Sequence, residues 1–424
     1  MNRDQITKTV TDALASQPVA DLHTHCYTPA FGASPDPGGL LLWGIDELVT
    51  YHYLVAEVYR VVPASQLPYE QYWQMTKTTQ ADHIWQHLFV ERTPISEACR
   101  GVLTTLAKLG LDPNEKSLGA YRKWFAAQDP DAYIDKVMQI ANVDSITMTN
   151  AVFDETERNM WLTDPSVGDD PRFDAVLRID PLLCDWSTAS GQLRQWGYDA
   201  ADDFSAHTAK ETRRFLNDWL DRTKAIYVAT SLPPDFHFPD PDNAAGDQFL
   251  EQCLMPVCAD RGLPWAMMIG SHRQVNPQLR DGGDMLCKAD IQSVVNLCQG
   301  FSNNKFLVTM LSRENQHELC VTARKFGNLL IFGCWWFLNN PSLVEEITRM
   351  RIELLGTSVV PQHSDARILD QLIYKWEHSR KIIGKVLVDK YCDLADTGYQ
   401  LTAEQIKSDA ARLLHDNFRN FLAA

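Results

Sequence analysis

A closed (β/α)8 (TIM) barrel with a helical insertion after its first strand is the fold the sequence predicts, on three observations. Eight short apolar segments are spread along the 424 residues. Helical patterns separate most of them, as a parallel barrel requires. No Gly-x-Gly-x-x-Gly follows the first segment, which argues against the rival, an open doubly wound sheet with a dinucleotide site.

Residues 4–16 carry apolar side chains at helical spacing, and Pro18 separates them from the first strand, Val19-Ala20-Asp21-Leu22-His23-Thr24-His25. The Pro- and Gly-rich stretch 27–39 then reads as a loop. From Leu42 the pattern turns helical over 45–60, 69–89, 94–110 and 117–125, with many aromatics expected between helices. The expected division is therefore 1–41 for the opening helix and first strand, 42–140 for the insertion, and 141–424 for the rest of the barrel. Strand candidates follow at 145–149, 175–180, 226–231, 264–269, 305–310, 329–334 and 359–363. Helices are expected at 206–222, 247–260, 288–299, 313–326, 341–354 and 366–385, with a final helix at 402–420 on the outside.

The formal charge of −16 is spread along the chain, which speaks against nucleic acid or an anionic membrane as partner. A small acidic ligand held by local arginines is still compatible with it. The ten cysteines form no CxxC pair and read as free thiols of a reducing compartment. No secretory signal and no membrane-length apolar run is evident, so a cytoplasmic protein is expected. A homo-oligomer is expected on general grounds only.

The candidate chemistry starts at the first strand. Side chains at i and i+2 share a face, so His23 and His25 project together, as a divalent metal needs. The last strand candidate runs into Pro361-Gln362-His363-Ser364-Asp365-Ala366-Arg367. First and last strands of a closed barrel are neighbours, so Asp365 completes a mononuclear His–His–Asp site with positions left for water or substrate. The plainer reading of Asp365 is a helix cap. His363 is either a support for the site or a core histidine. Arg367 is a surface arginine, or at the mouth of the barrel it either holds a substrate oxygen or lowers the pKa of a nearby tyrosine. Arg178 lies inside an apolar strand, where a charge needs a partner or a cavity; it either binds a substrate carboxylate or pairs with Asp180. Arg273 and Arg313 sit just past strand ends, where each either binds an anion or begins a helix.

ADLHTH (20–25), LLWGIDELVTYHYLVAEVYR (41–60), LRIDPLL (177–183), NKFLVTMLSRENQHEL (304–319), GCWWF (333–337) and PQHSDAR (361–367) together resemble uronate (glucuronate) isomerase, in its shorter branch. The resemblance covers essentially the whole chain and implies the metal-dependent barrel of the amidohydrolase superfamily. It also implies interconversion of D-glucuronate with D-fructuronate and of D-galacturonate with D-tagaturonate. His23, His25 and Asp365 match the family's metal ligands, and one divalent ion, most commonly zinc in this superfamily, is implied. Tyr53 matches an active-site tyrosine, Arg367 its partner and Arg178 a residue for the sugar acid. Trp335 and Trp336 match an aromatic wall. The departure is Met268, which aligns where longer members carry a histidine. A thioether replaces imidazole neither as base nor as zinc ligand, so fewer protein ligands are expected. No lysine stands at a central strand end to be carbamylated, so a two-metal hydrolytic site is not supported.

Two other classes fit part of the pattern. A metal-dependent hydrolase or lactonase on the same barrel would release product from an ester, amide or lactone without isomerisation. A sugar-acid-binding protein would bind uronate and form no ketose.

Overall fold

Among the residues described by the computed structural model, 1–36 and 38–424, seven strands pair in parallel in one sheet. They are β1 (Val19–Thr24), β2 (Val143–Ala151), β3 (Phe173–Arg178), β4 (Val228–Leu232), β5 (Trp265–Ile269), β6 (Phe306–Met310) and β7 (Leu329–Ile331), in that spatial order. Pro37, within the expected loop 27–39, lies outside the described residues.

The closed eight-stranded barrel is the expectation that the structure overturns. The sheet is an open half-barrel whose edges stand 12 Å apart. The eighth candidate, 359–363, forms only a single bridge, Phe332 with Val360. The reason lies in its residues. Pro361 has no N–H to give a ladder. The Gln362 side chain accepts from the backbone of Cys334 and His363 instead (2.7 and 3.2 Å). Asp365 then turns the chain at φ 51°. The segment crosses the gap as an irregular strap. On the β7 side Val360 donates to Ile331 O and accepts from Gly333 N; on the β1 side Asp365 N donates to His23 O and His25 N to Ala366 O.

Period-two alternation sorts the strand residues into two apolar cores. Ala20, Leu22, Val176, Ala229, Ala266, Met268, Leu307 and Leu330 face the interior of the half-barrel, with Phe418 of the last helix packed among them. Their neighbours Val19, Phe173, Val228, Trp265, Met267, Phe306, Val308 and Ile331 face outward into the helices that follow the strands. A helical block between β1 and β2 spans Ile45–Ala141 and includes α1 (His52–Val61). Its N-terminal cap, Tyr51, is extended, so the helix begins at His52 and buries Leu54, Val55 and Val58. The longest helix, α2 (Gln371–Asp396), follows the strap and packs against the opening helix Arg3–Ser16. No helix among the described residues is long and apolar enough to cross a membrane.

A second covering element leaves β5. Ser271–His272 pairs antiparallel with Met285–Leu286, and the loop between them arches over the strand ends. Its tip is fixed to the helical block. Trp73 Nε1 donates to Gln278 O (2.8 Å), Arg280 stacks 4.2 Å from the Trp73 ring, and a Cβ on Gly282 would stand 3.1 Å from His52 O.

Gly333, at the exit of β7, has φ 64°, and a Cβ there would fall 1.7 Å from His363 Nδ1. Gly333→Ala should cost about 1–2 kcal/mol for the left-handed backbone and about 1–3 kcal/mol more for overpacking. A lowered denaturant midpoint at unchanged slope is the expected result; an unchanged midpoint would contradict the close approach.

Candidate active site

β1 ends in a shift of register between Asp21 and Thr24. That irregularity re-aims the chain: Asp21 points back towards α2, whereas His23 and His25 both open into a cavity of about 260 Å³. Asp365 reaches the same place from the strap. Its Oδ1 lies 3.6 Å from His23 Nε2 and 3.5 Å from His25 Nε2. One donor atom from each of the three falls within 4.8 Å of the others.

The tautomer of His25 follows from its neighbours. Thr149 Oγ1 donates to Thr24 O, so its single proton is used, and it accepts from His25 Nδ1 at 2.9 Å. The proton of His25 is then on Nδ1, and the Nε2 lone pair faces the carboxylate. Burial also holds His23 well below the usual histidine range and His25 below it, and although burial raises Asp365, the charges around it, Lys375 among them, leave it below the usual carboxylate range. Neutral imidazole nitrogens and an ionised oxygen converge, and Asp365 Oδ1 has no hydrogen-bond partner among the described residues. A divalent cation fits that donor set; two histidines and one carboxylate leave positions open. Met268 is part of the apolar interior and does not line the cavity.

Around this centre stand three guanidinium groups. Arg178 is braced by Asp180 through two bonds (2.8 and 2.9 Å) and by Ser231 Oγ (3.0 Å). Its Nη1 has no partner among the described residues. Arg178 is therefore paired with Asp180 and also lines the cavity. Arg367 donates to Asp281 (2.7 Å) and Arg273 to Asp284 (2.5 Å), both carboxylates belonging to the arching loop. Arg273 also lies 5.3 Å from the Trp336 ring centroid. Trp335 and Trp336 both line the cavity.

Three of the expected residues are elsewhere. Arg313 is largely exposed and pairs with Glu346 (2.8 Å). His363 is buried beneath His23, ring centroids 5.4 Å apart, with burial lowering it to about 4. Tyr53 does not line the cavity; its ring packs 4.9 Å from Tyr51 and 4.5 Å from His52, and its hydroxyl is buried without a partner among the described residues. The expected lowering of Tyr53 by Arg367 is not what its surroundings give. Burial, then the charges of Tyr51 and Asp365, push it well above the usual tyrosine value, and Arg367 acts on Tyr51 instead.

Sequence reasoning passed over Tyr51, His52, Ser231, Asp281 and Asp284, all of which line the cavity. Asp281-Gly282-Gly283-Asp284 was the available signal, two acids on a tight turn. His52, brought to about 3 by burial, was visible only as part of an aromatic triplet.

An α/β sheet whose edge gathers a His–His–Asp group able to hold a divalent cation beside an arginine-lined cavity is an arrangement suited to metal-assisted chemistry on a small anion. No family model and no curated protein matches the chain. Among solved structures it is similar to a uronate isomerase from Bacillus halodurans, at 49% identity and a TM-score of 0.95 over 100% of this chain and 97% of that one. It therefore belongs to the uronate isomerase family. Its fold is also similar to a uronate isomerase from Thermotoga maritima (14% identity, TM-score 0.73, 99% and 97% covered) and a glucuronate isomerase from Caulobacter crescentus (13%, 0.76, 99% and 94%).

Proposed function

We propose that this chain interconverts hexuronates between aldose and ketose forms, D-glucuronate with D-fructuronate and D-galacturonate with D-tagaturonate. The full-length 49% identity to the Bacillus halodurans protein is the observation that carries the reading. His23, His25 and Asp365 are the proposed ligands of one divalent ion, with zinc as its proposed identity. Such an ion supplies positive charge that polarises a sugar oxygen and lowers the pKa of groups beside it.

The reaction moves a proton from C2 to C1 and a second one from O2 to O1. Arg178, braced by Asp180 and lining the cavity, is proposed to take the C6 carboxylate and fix the open chain. Trp335 and Trp336 wall the sugar, and Arg273 and Arg367 contact its oxygens. Tyr53 is the proposed carrier of the C2 proton, giving a cis-enediol that is reprotonated at C1. Burial holds its phenol neutral at rest and it does not line the cavity, so this role requires Tyr53 to shift towards the sugar and to pass its own proton to a base before it takes the one from C2. Asp365 moves the proton of ring opening. His363 supports His23 from below. No substrate contact is proposed for Arg313.

Proton NMR of purified, zinc-loaded protein incubated with either uronate should reveal the corresponding 2-keto acid. No ketose from well-folded, metal-loaded protein would reject the reading. Arg178→Lys keeps the charge and loses the planar fork, so KM should rise more than kcat falls; Arg178→Met should raise KM further. Equal kinetics for wild type and Arg178→Met would remove Arg178 from carboxylate recognition.

A further inference from the structure

The strap that crosses the open edge of the sheet is held along its length by one face of α2. Gln371, Lys375 and Ser379 recur every four residues and so lie along one side of the helix. Each is at most 3% exposed, beside the core residues Leu372, Ile373, Trp376 and Ile383. Gln371 Oε1 accepts from the backbone of Arg367 and Ile368 (3.0 and 3.3 Å), and Ser379 Oγ accepts from Gln362 Nε2 (3.3 Å). Lys375 stands between them. Its Nζ donates to Ser364 O (2.5 Å) and Asp365 O (3.3 Å).

Burying an ammonium is costly without a counter-charge. Asp365 and, after it, Asp21 provide that charge, and Asp21 engages the same turn. Its carboxylate accepts from Ser364 N (3.0 Å) and from Trp376 Nε1 (2.8 Å). Both backbone groups of Ser364 are therefore held by buried charges of opposite sign. The next residue, Asp365, has the left-handed φ of 51°, which a non-glycine residue keeps only when its surroundings impose it.

We propose that Lys375 is a positioning residue for Asp365: drawing two successive carbonyls onto one ammonium, it holds the turn whose left-handed backbone aims the carboxylate at His23 and His25. The inference rests on the reading of those three side chains as metal ligands. Charge-assisted bonds are about twice as strong as neutral ones, and losing a group that supports a metal ligand typically costs roughly 10–100-fold in metal affinity.

Cobalt(II) is the probe, because its visible absorption reports ligand geometry independently of turnover. Wild type should bind one Co²⁺ per chain and His25→Ala should not; failure there rejects the ligand reading and this inference with it. Lys375→Met should bind Co²⁺ roughly 10–100-fold more weakly, with an altered absorption spectrum. Gln371→Met loses strap bonds on the turn beyond Asp365, so it should lower thermal stability and leave the cobalt spectrum unchanged. Lys375→Gln, which keeps a shorter donor, should give an intermediate loss and replaces the methionine variant if that one does not fold. A folded Lys375 variant with wild-type affinity and spectrum would overturn the proposal. So would a Gln371→Met protein that shifts both as far as Lys375→Met does.

Discussion

His25→Ala is expected to retain no stoichiometric metal and to lose isomerase activity by roughly 10³-fold or more, the loss of several kcal/mol of charge stabilisation at the reacting oxygens. His25 is a better test than His23 because its side chain is 29% exposed, against 1%. Removing His23 would also empty a packed position beside His363. Removing His25 leaves Thr149 its bond to Thr24 O, so the fold should hold. Elemental analysis of protein purified without added metal, with circular dichroism on the same sample, checks the result. Full metal content in a folded His25→Ala protein would sink the assignment.

Tyr53→Phe should lower kcat by roughly 10²–10⁴-fold while metal stays bound. Its effect on stability should have the opposite sign. The Tyr53 hydroxyl is buried without a partner among the described residues, and such a group costs about 1–3 kcal/mol. Phenylalanine keeps the ring against Tyr51 and His52 and removes that cost, so the melting temperature should be unchanged or slightly raised. A variant that is as stable as wild type and nearly inactive separates a catalytic hydroxyl from a packing ring. Unimpaired turnover would take Tyr53 out of the mechanism.

Much of the architecture was legible in strand-sized segments. The candidates at 145–149, 264–269 and 305–310 fall on β2, β5 and β6, because their apolar residues serve two cores at once. Closure was not legible in that way. Counting eight apolar segments says nothing about whether the first and last exchange ladder bonds, and that depends on individual donors. Pro361 carried the needed information, since a residue without an N–H cannot sit in a regular closing strand. The expected helix 402–420 is interrupted at Arg412–Asp416, where the hydrogen-bond spacing widens to i→i+5, a distinction hydrophobic period does not encode.

The residues gathered at the cavity were legible where they lay on strand ends or on the strand-sized segment that became the strap. His23, His25, Asp365, Arg178, Arg273 and Arg367 come together around one cavity. The loop acids Asp281 and Asp284 were not, because an arch of chain over a sheet has no period to betray what it covers. Lys375 was missed for a related reason. A lysine amid Leu372, Ile373 and Trp376 reads as an exposed position on an amphipathic helix until the strap beneath it is seen.

The arching loop has a consequence for how an anion enters. Arg367 is already engaged by Asp281, 86 residues away in sequence, and Arg273 by Asp284. These carboxylates belong to the same folded chain, so their effective concentration at the guanidinium groups is fixed by the fold and does not dilute. On the proposed reading, sugar oxygens arriving at Arg367 and Arg273 meet intramolecular competitors, while the carboxylate goes to Arg178. The affinity of such a ligand then includes the cost of loosening those resident carboxylates, and added salt weakens the resident pairs as it weakens the contact at Arg178.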